Sequence, residues 1–267
     1  MKSVLFSLAA GLLAAPAIAQ DVPKPITVSG TVALVSDYRF RGVSQSDKHM
    51  AVQGGLTATH SSGFYAGAWG SNLAGWGTFG GANMELDLLG GFKQKIGAAT
   101  VDAGLTWYMY PGGASDTDFA EPYVKLSGTI GPASLLAGVA YAPKQQALGN
   151  YSNTPQSRGQ KKDNLYLWGD ASAGIPGTPI TLKAHLGYSK GNPGLGPNGT
   201  SVAPTGEYAD WLLGVDYVLG PVVLGAAYVD TDISKPESAY LQPNFSSTKN
   251  GSPIAGSRLV LSISAAF

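Results

Sequence analysis

Two arginines alternate with aromatic residues near the start of the chain, where residues 38–41 read Tyr-Arg-Phe-Arg. Side chains two residues apart in an extended strand point to the same face, so Arg39 and Arg41 are expected side by side. Guanidinium groups beside aromatic rings could form a constriction that orients anionic solutes. Both arginines could instead pair with Glu85 and Asp87, which also alternate, and so brace a wall. We expect a mixture of the two roles.

Further ionisable residues fall on one face of segments whose other face is apolar. In segment 207–219, Leu213 lies on a face of apolar residues, whereas Asp210 and Asp216 lie on the opposite face. Such a charged face can line a wet interior and set its selectivity at close range, or its members can pair and stiffen the wall. The candidate lining residues are Asp37, Arg39, Arg41, Glu85, Asp87, Asp102, Lys125, Asp170, Lys183, His185, Asp210, Asp216 and Arg258. A wider set adds Lys93, Lys95 and Glu121.

The sequence gives little support for catalysis or for a bound metal. A hydrolytic site needs a nucleophile beside a base, but His49, His60 and His185 are the only histidines, and the chain has no Gly-x-Ser-x-Gly motif. Asp116 and Asp118, with Glu121 nearby, lack the ordered spacing of a calcium loop. The chain has no cysteine. We therefore predict no enzymatic activity, no cofactor and no metal.

The elements that position these residues are predicted to be twelve strands. Tight turns follow every second strand, and longer connections rich in Gly, Pro, Asn and Ser follow the others. Short turns at one end and long loops at the other are typical of an antiparallel up-and-down transmembrane β-barrel, whereas a β-sandwich has no reason to segregate its loops. Segments 64–73 and 221–230 have no clear facing. The predicted strands are 26–38, 50–61, 64–73, 82–95, 98–109, 119–130, 133–142, 164–174, 179–189, 207–219, 221–230 and 257–267.

Both ends of the chain carry signals of export. Lys2, a short apolar run and the small residues Ala17 and Ala19 predict a signal peptide over 1–19 that is cut after Ala19, which leaves a barrel domain over 20–267. The apolar run is too short to span a membrane as a helix. The chain ends on Phe267 in a strand of period-two apolar residues, which resembles the assembly signal of outer-membrane barrels.

The composition agrees with a membrane barrel. Hydrophobic residues make up 44% of the chain and charged residues only 13%, compared with a usual charged share of about 25%. The 37 glycines and 13 tyrosines suit tight turns and interfacial aromatic girdles. Seventeen basic and seventeen acidic residues balance, so no nucleic-acid partner is expected.

Residues 35–45 carry a resemblance to a known family. They read Val-Ser-Asp-Tyr-Arg-Phe-Arg-Gly-Val-Ser-Gln and are followed by Gln53-Gly54-Gly55, a Gly-aromatic strand from Gly63 to Gly67, and Glu85-Leu86-Asp87. In order and spacing these motifs resemble the TorF family of porins, most densely over 28–95. The resemblance implies an outer-membrane channel and implies no particular solute.

The sequence therefore predicts a channel for ions or small polar solutes in a bacterial outer membrane. A twelve-stranded barrel should have a narrower lumen than sixteen-stranded porins. The alternative is a plugged structural or adhesive barrel that binds partners through loops 143–163 and 231–256. Expected partners are outer-membrane lipid, the barrel assembly machinery, small solutes, and lipopolysaccharide, which could contact Arg158, Lys161 and Lys162.

Overall fold

The computed structural model describes residues 25–76, 79–149, 159–195 and 201–267. Within them the chain forms one closed antiparallel barrel of twelve strands, together with a small two-stranded hairpin, β2–β3. Three short helical segments lie in the long connections: Phe79–Gly81 and Ala239–Leu241, both 3-10, and α1 (Lys235–Ser238). The strands in chain order are β1 (Ile26–Val35), β2 (Arg39–Phe40), β3 (Val43–Ser44), β4 (Ala51–His60), β5 (Phe64–Asn72), β6 (Met84–Ile96), β7 (Ala99–Met109), β8 (Phe119–Ile130), β9 (Ala133–Gln145), β10 (Lys162–Gly174), β11 (Ile180–Gly191), β12 (Glu207–Leu219), β13 (Val222–Thr231) and β14 (Arg258–Ala266).

Each barrel strand pairs with the next one along the chain, and β1 closes the ring by pairing with both β4 and β14. At the closing seam Thr31 lies opposite Ala266. Just beyond it, Gly30 and Phe267 exchange two backbone hydrogen bonds of 2.9 and 3.0 Å. The last residue therefore takes part in closing the barrel.

The predicted plan of twelve strands with segregated connections is confirmed. Short turns such as 97–98 and 131–132 use Gly97 and Gly131 at positive φ, where a side chain would be strained. The described parts of the six long connections lie at the opposite end. We call the two halves of the barrel the short-turn half and the long-loop half. The largest differences from the prediction are three residues: β1 ends at Val35 instead of continuing to residue 38, and β9 continues to Gln145 instead of ending at residue 142.

The barrel has an apolar outer face and a polar inner face. Leu213 in the middle of β12 is 63% exposed, whereas Asp210 and Asp216 on the same strand are buried. The two strands of unclear facing are now assigned: Phe64 points outward and Tyr65 inward, and Tyr228 points outward whereas Val229 is buried. None of the helices in the described residues is long and apolar enough to cross a bilayer.

Long connections and strand ends pack together over the long-loop half. One apolar cluster combines residues of five long connections with the strand ends beneath them, and a second is formed mainly by the connection between β13 and β14. The first contains Tyr38, Ala51, Leu73, Phe79, Ala82, Tyr108, Tyr110, Phe119, Ala142, Ala147, Leu148 and Val202. The second contains Val43, Tyr208, Ile233, Leu241, Phe245, Ile254 and Ala255. The predicted signal over 1–19, with Ala17 and Ala19, and Arg158 lie outside the described residues.

Candidate functional site

Residues 36–50, which we call the infolded segment, turn into the barrel after β1. Tyr38 packs edge-on against Trp69 of β5, and its hydroxyl donates to Glu85 of β6 at 2.8 Å. The hydroxyl of Tyr208 on β12 donates to the backbone oxygen of Arg41 at 2.9 Å. Contacts with strands on different sides of the ring place this segment across the lumen in the long-loop half.

The infolded segment folds as a tight hairpin on a buried aspartate. Phe40 pairs with Val43, so Arg41 and Gly42 form a two-residue loop with φ of 48° and 79°. Positive φ at both positions is the signature of a type I′ turn. Asp37 accepts hydrogen bonds from the Ser44 hydroxyl at 2.5 Å and from Nε of Arg39 at 2.8 Å. Arg41 therefore projects from the tip of the hairpin, in a conformation that L residues rarely adopt.

Arg39 is held near the base of the hairpin. Besides Asp37, its Nη1 donates to the carbonyl oxygens of Gly42 and Gly256, both at 2.8 Å. Arg258 of β14 approaches the same carboxylate, with Nε 3.7 Å from Oδ2 of Asp37. Arg39 thus ties the infolded segment to the connection that precedes β14.

Arg41 binds the wall on β8 and β10. Its Nη2 donates to the two carboxylate oxygens of Glu121 at 2.8 and 2.6 Å. Its guanidinium carbon lies 4.1 Å from the ring centre of Tyr166, which is cation–π geometry. The Asn164 amide is oriented so that both of its polar atoms have a partner. In this orientation its oxygen accepts from Nη1 of Arg41 at 3.0 Å, and its nitrogen donates to the carbonyl oxygen of Lys190 at 3.2 Å.

Two expectations about these arginines are therefore wrong. Arg39 and Arg41 bind different acids in different places, and neither binds Glu85 or Asp87. The period-two argument fails because the chain leaves the strand at Val35 and reverses at residues 41–42. Asp37, Arg39 and Arg41 belong to the infolded segment instead of the barrel wall.

Glu85 and Asp87 are buried on the inner face of β6 among tyrosines. Glu85 accepts from Tyr38 at 2.8 Å and from Tyr110 at 3.5 Å. Asp87 is 8% exposed, and its Oδ1 has no hydrogen-bond partner. The pair is an acidic wall without a basic side chain bound to it in the described residues.

His185 of β11 links three neighbouring strands on the inner wall. Its Nδ1 lies 2.6 Å from Asp170, and its Nε2 lies 3.2 Å from Asp210 and 2.9 Å from the hydroxyl of Tyr166. The protonated ring can donate to both carboxylates at once. This arrangement braces β10, β11 and β12, and the prediction that the protein is not an enzyme stays a prediction.

The short-turn half contains two ion pairs on the wall, each with a lysine that is more exposed than Arg41. Lys125 lies 3.4 Å from Asp102, and Lys183 lies 2.6 Å from Asp216. The Tyr65 hydroxyl donates to Asp102 at 2.5 Å and contacts the Tyr123 hydroxyl. Nearby, two exposed lysines of β6 face the same end of the lumen. They are Lys93 and Lys95.

Aromatic rings lie flat against the wall where a neighbouring strand has a glycine. A Cβ at Gly187 would overlap Tyr166 and Asp210, and one at Gly138 would overlap the ring of Trp168. Because the glycines leave room beside the backbone, these rings do not need to cross the lumen. The glycines thus shape the interior without lining it with side chains.

The sequence arguments missed two members of the Arg41 site, Asn164 and Tyr166. Both lie on the same face of β10 as Asp170, so the alternation could have identified them as inward-facing. Their role depends on the infolded segment, which no local pattern predicted. In the described part of the chain, no group of three or more acidic or histidine side chains is arranged to hold a metal ion.

The comparisons with known proteins identify a family and a fold. A family model described as "Bacterial protein of unknown function (Gcw_chp)" matches residues 19–267. No curated protein matches the chain. Among solved structures, the barrel is similar to the NanC porin, with a TM-score of 0.53, 12% identity, and coverage of 90% of this chain and 99% of that one. It is also similar to the KdgM porin in complex with disordered oligogalacturonate, with a TM-score of 0.51, 9% identity, and coverage of 90% and 99%. At such identities the likeness concerns the fold alone.

Proposed function

Since the chain belongs to the Gcw_chp family of bacterial proteins, whose description assigns no activity, we propose a function from the barrel itself. The protein is an outer-membrane channel for ions or small polar solutes, and the infolded segment closes it at the long-loop end in this conformation. The observation that carries the proposal is a closed ring of strands with an apolar outside and a charged, partly exposed inside.

The outer face supports a membrane location. Large apolar side chains are exposed on all sides of the ring, for example Val32 on β1, Leu135 on β9 and Leu261 on β14. A soluble protein rarely exposes so extensive an apolar surface, whereas lipid contact requires one. The predicted signal over 1–19 and contact with outer-membrane lipid and lipopolysaccharide belong to this proposal.

The inner face of the short-turn half supports conduction. Its charged side chains, including Lys125 and Asp102, keep access to water and stand where a packed soluble barrel would have an apolar core. Acids and bases alternate around this wall, so it can support passage of ions of both signs. The candidate lining residues on the wall are proposed to act in this way.

The alternative is a permanently plugged structural barrel. It is favoured by the burial of the infolded segment, since Arg39, Val43 and Ser46 are almost inaccessible. In that case the long connections would bind partners and the lumen would carry nothing.

Planar-bilayer conductance of the purified protein distinguishes the two functions. The key variant replaces residues 38–47 by a Gly-Ser linker of equal length, and its control replaces the mostly exposed residues 111–116 in the same way. We expect rare or small steps from the wild type and from the control, and larger stable steps from the key variant. Silence from all three proteins at verified membrane insertion would exclude the channel and favour the plug.

We also propose, from the motif over 35–45, that the chain is a TorF porin.

A last proposal is that Phe267 guides assembly by the barrel assembly machinery. Phe267 closes the seam with Gly30, and a Cβ on Gly30 would overlap the ring of Phe267. Deleting Phe267 should lower the folded, heat-modifiable fraction in outer membranes. An unchanged folded fraction would remove this role.

A further inference from the structure

The pocket that holds Arg41, which we call the Arg41 pocket, has the features of a site for an organic cation. The carboxylate of Glu121 takes two hydrogen bonds from one guanidinium nitrogen, Asn164 takes another, and the face of Tyr166 lies against the guanidinium carbon. The Glu121 side chain is only 3% exposed. A carboxylate, an amide oxygen and an aromatic face together recognise guanidinium or primary ammonium groups.

The pocket belongs to the wall and is held in place without the infolded segment. The hydroxyl of Tyr108 donates to Glu121 at 3.3 Å, and Asn164 is oriented by the carbonyl of Lys190. The hydroxyl of Tyr166 lies 3.2 Å from Asp210. Because none of these contacts comes from residues 36–50, the pocket would keep its shape if Arg41 moved out.

The charge around the pocket favours a cation there. Glu85 and Asp87 lie on the adjoining inner wall, and Asp87 is paired with Tyr108 across the β6–β7 ladder. The buried Oδ1 of Asp87 has no hydrogen-bond partner. Of these three wall acids, only Glu121 binds a basic group among the described residues, and removing Arg41 would leave that buried carboxylate without a counter-ion.

Arg41 is well placed to give way to a competitor. It occupies the tip of a short hairpin at a φ of 48°, a conformation disfavoured for an L residue. Its backbone oxygen contacts the wall through a single hydroxyl, that of Tyr208. Arg41 is therefore held at the wall mainly by side-chain contacts that an external guanidinium could replace, whereas the neighbouring Phe40 packs against Phe79 and Tyr108.

We propose that the Arg41 pocket is a binding site for solutes that carry a guanidinium or primary ammonium group, and that such a solute displaces Arg41 and loosens the infolded segment. The inference rests on the proposed channel function, because it names the solute class that the channel admits. Arg41 then acts as a built-in competitor of the solute.

The first test fills the pocket in a variant that lacks the side chain. Thermal unfolding of Arg41→Ala is followed with methylguanidinium or with neutral methylurea at equal concentration. We expect methylguanidinium to raise the Tm in a saturable way, by roughly 2–4 °C, and methylurea to have no such effect. The control, Arg41→Ala with Glu121→Gln, should lose the response. Equal responses of both variants, or to both compounds, would overturn the proposal.

The second test keeps the complete wild-type pocket and does not depend on the folding of Arg41→Ala. The chain has no cysteine, so Val43→Cys places a single thiol at a position that is 3% exposed. We expect methylguanidinium to speed maleimide labelling several-fold and methylurea to leave it unchanged. An unchanged rate with both compounds would contradict displacement of the segment.

Conductance measured on the same preparations separates the two proposals. If the barrel binds methylguanidinium but never conducts, the proposed cation site stands and the proposed channel function is rejected. If the linker variant conducts but neither the Tm response nor the labelling response is seen, the proposed channel function stands and the proposed cation site is rejected.

Discussion

The two halves of the barrel interior use the same kind of ion pair in different settings. In the long-loop half, the Arg41 and Glu121 side chains are 6% and 3% exposed, and their closest atoms are 2.6 Å apart. In the short-turn half, Lys125 and Asp102 are 21% and 15% exposed, at 3.4 Å. Lys183 is 16% exposed there, although it lies 2.6 Å from Asp216, so the lysines of this half differ from Arg41 in their exposure. The inner face of the wall is polar in both halves, so the difference comes from the infolded segment that covers only one of them.

This difference shows how one wall can serve two purposes. A charge pair kept in contact with water contributes little stability and remains available to solutes. The same pair under a segment of chain loses its hydration, so each partner depends on the other. Blocking the lumen therefore requires no change in the wall, only the presence of a chain segment with the complementary charge.

The largest effect is expected from breaking one pair in each half. Glu121→Gln keeps the shape of the side chain but leaves Arg41 buried without its counter-ion, at a cost of about 3–5 kcal/mol. Asp102→Asn breaks the partly exposed pair at a smaller cost, about 1 kcal/mol. Urea unfolding of both variants in lipid vesicles measures the two losses.

Release of the infolded segment limits the stability that Glu121→Gln can lose. Once holding an unpaired guanidinium costs more than letting the hairpin leave, conductance should rise as stability falls. Equal losses in the two variants, without a change in conductance, would show that the halves do not differ in the way described.

The intermediate effect is expected from adding a methyl group to the wall in each half. In Gly187→Ala the new Cβ would overlap the hydroxyl end of Tyr166, which is also held by Asp210 and by Arg41. In Gly214→Ala it would lie 2.8 Å from Cε of Lys183, the end of a flexible side chain. We expect a loss of about 1–3 kcal/mol for the first and clearly less for the second.

The same vesicle titration measures both glycine variants. A larger loss for Gly214→Ala would mean that the aromatic rings of the long-loop half can move and that the short-turn half is the more rigid one. Changes in the conductance of Gly187→Ala would report displacement of Tyr166 from Arg41.

The sequence was sufficient to predict the barrel but not the infolded segment that covers its lumen at the long-loop end. Strand number, pairing order and the facing of Leu213 and Asp216 follow from period-two patterns and turn residues, which are local. The path of residues 36–50 depends on contacts with strands far along the chain, such as that between Arg41 and Glu121. The motif over 35–45 marked the right residues, but a strand rule placed their side chains wrongly because φ reverses at Arg41 and Gly42.

The wall charges show the same limit. Lys183 and Asp216, or Lys125 and Asp102, lie on neighbouring strands, and facing alone predicted that they line the interior. Facing could not predict that Glu85 would receive hydrogen bonds from tyrosines instead of arginines. That outcome depends on Tyr38 and Tyr110, which reach the wall from long connections.

The smallest effect concerns pH and the outer part of the infolded segment. Burial lowers the pKa of Lys48 from its ordinary 10.5, and the positive charges of Arg39 and Arg258 lower it further, against Asp37 and Asp47, which raise it. Between the lowered pKa and 10.5, Lys48 binds more protons in the unfolded chain than in the folded one. The free energy of unfolding therefore rises with pH across that window, and Lys48 causes no pH dependence of stability below or above it. Lys48→Gln removes the contribution, and the stability of the wild type minus that of the variant should increase as pH rises toward 10.5. Other lysines and tyrosines titrate in the same range, but they are common to both proteins and cancel in the difference. A difference that stays flat would mean that the outer part of the segment is as well hydrated as the short-turn half, and that the covered region begins deeper, at Arg41.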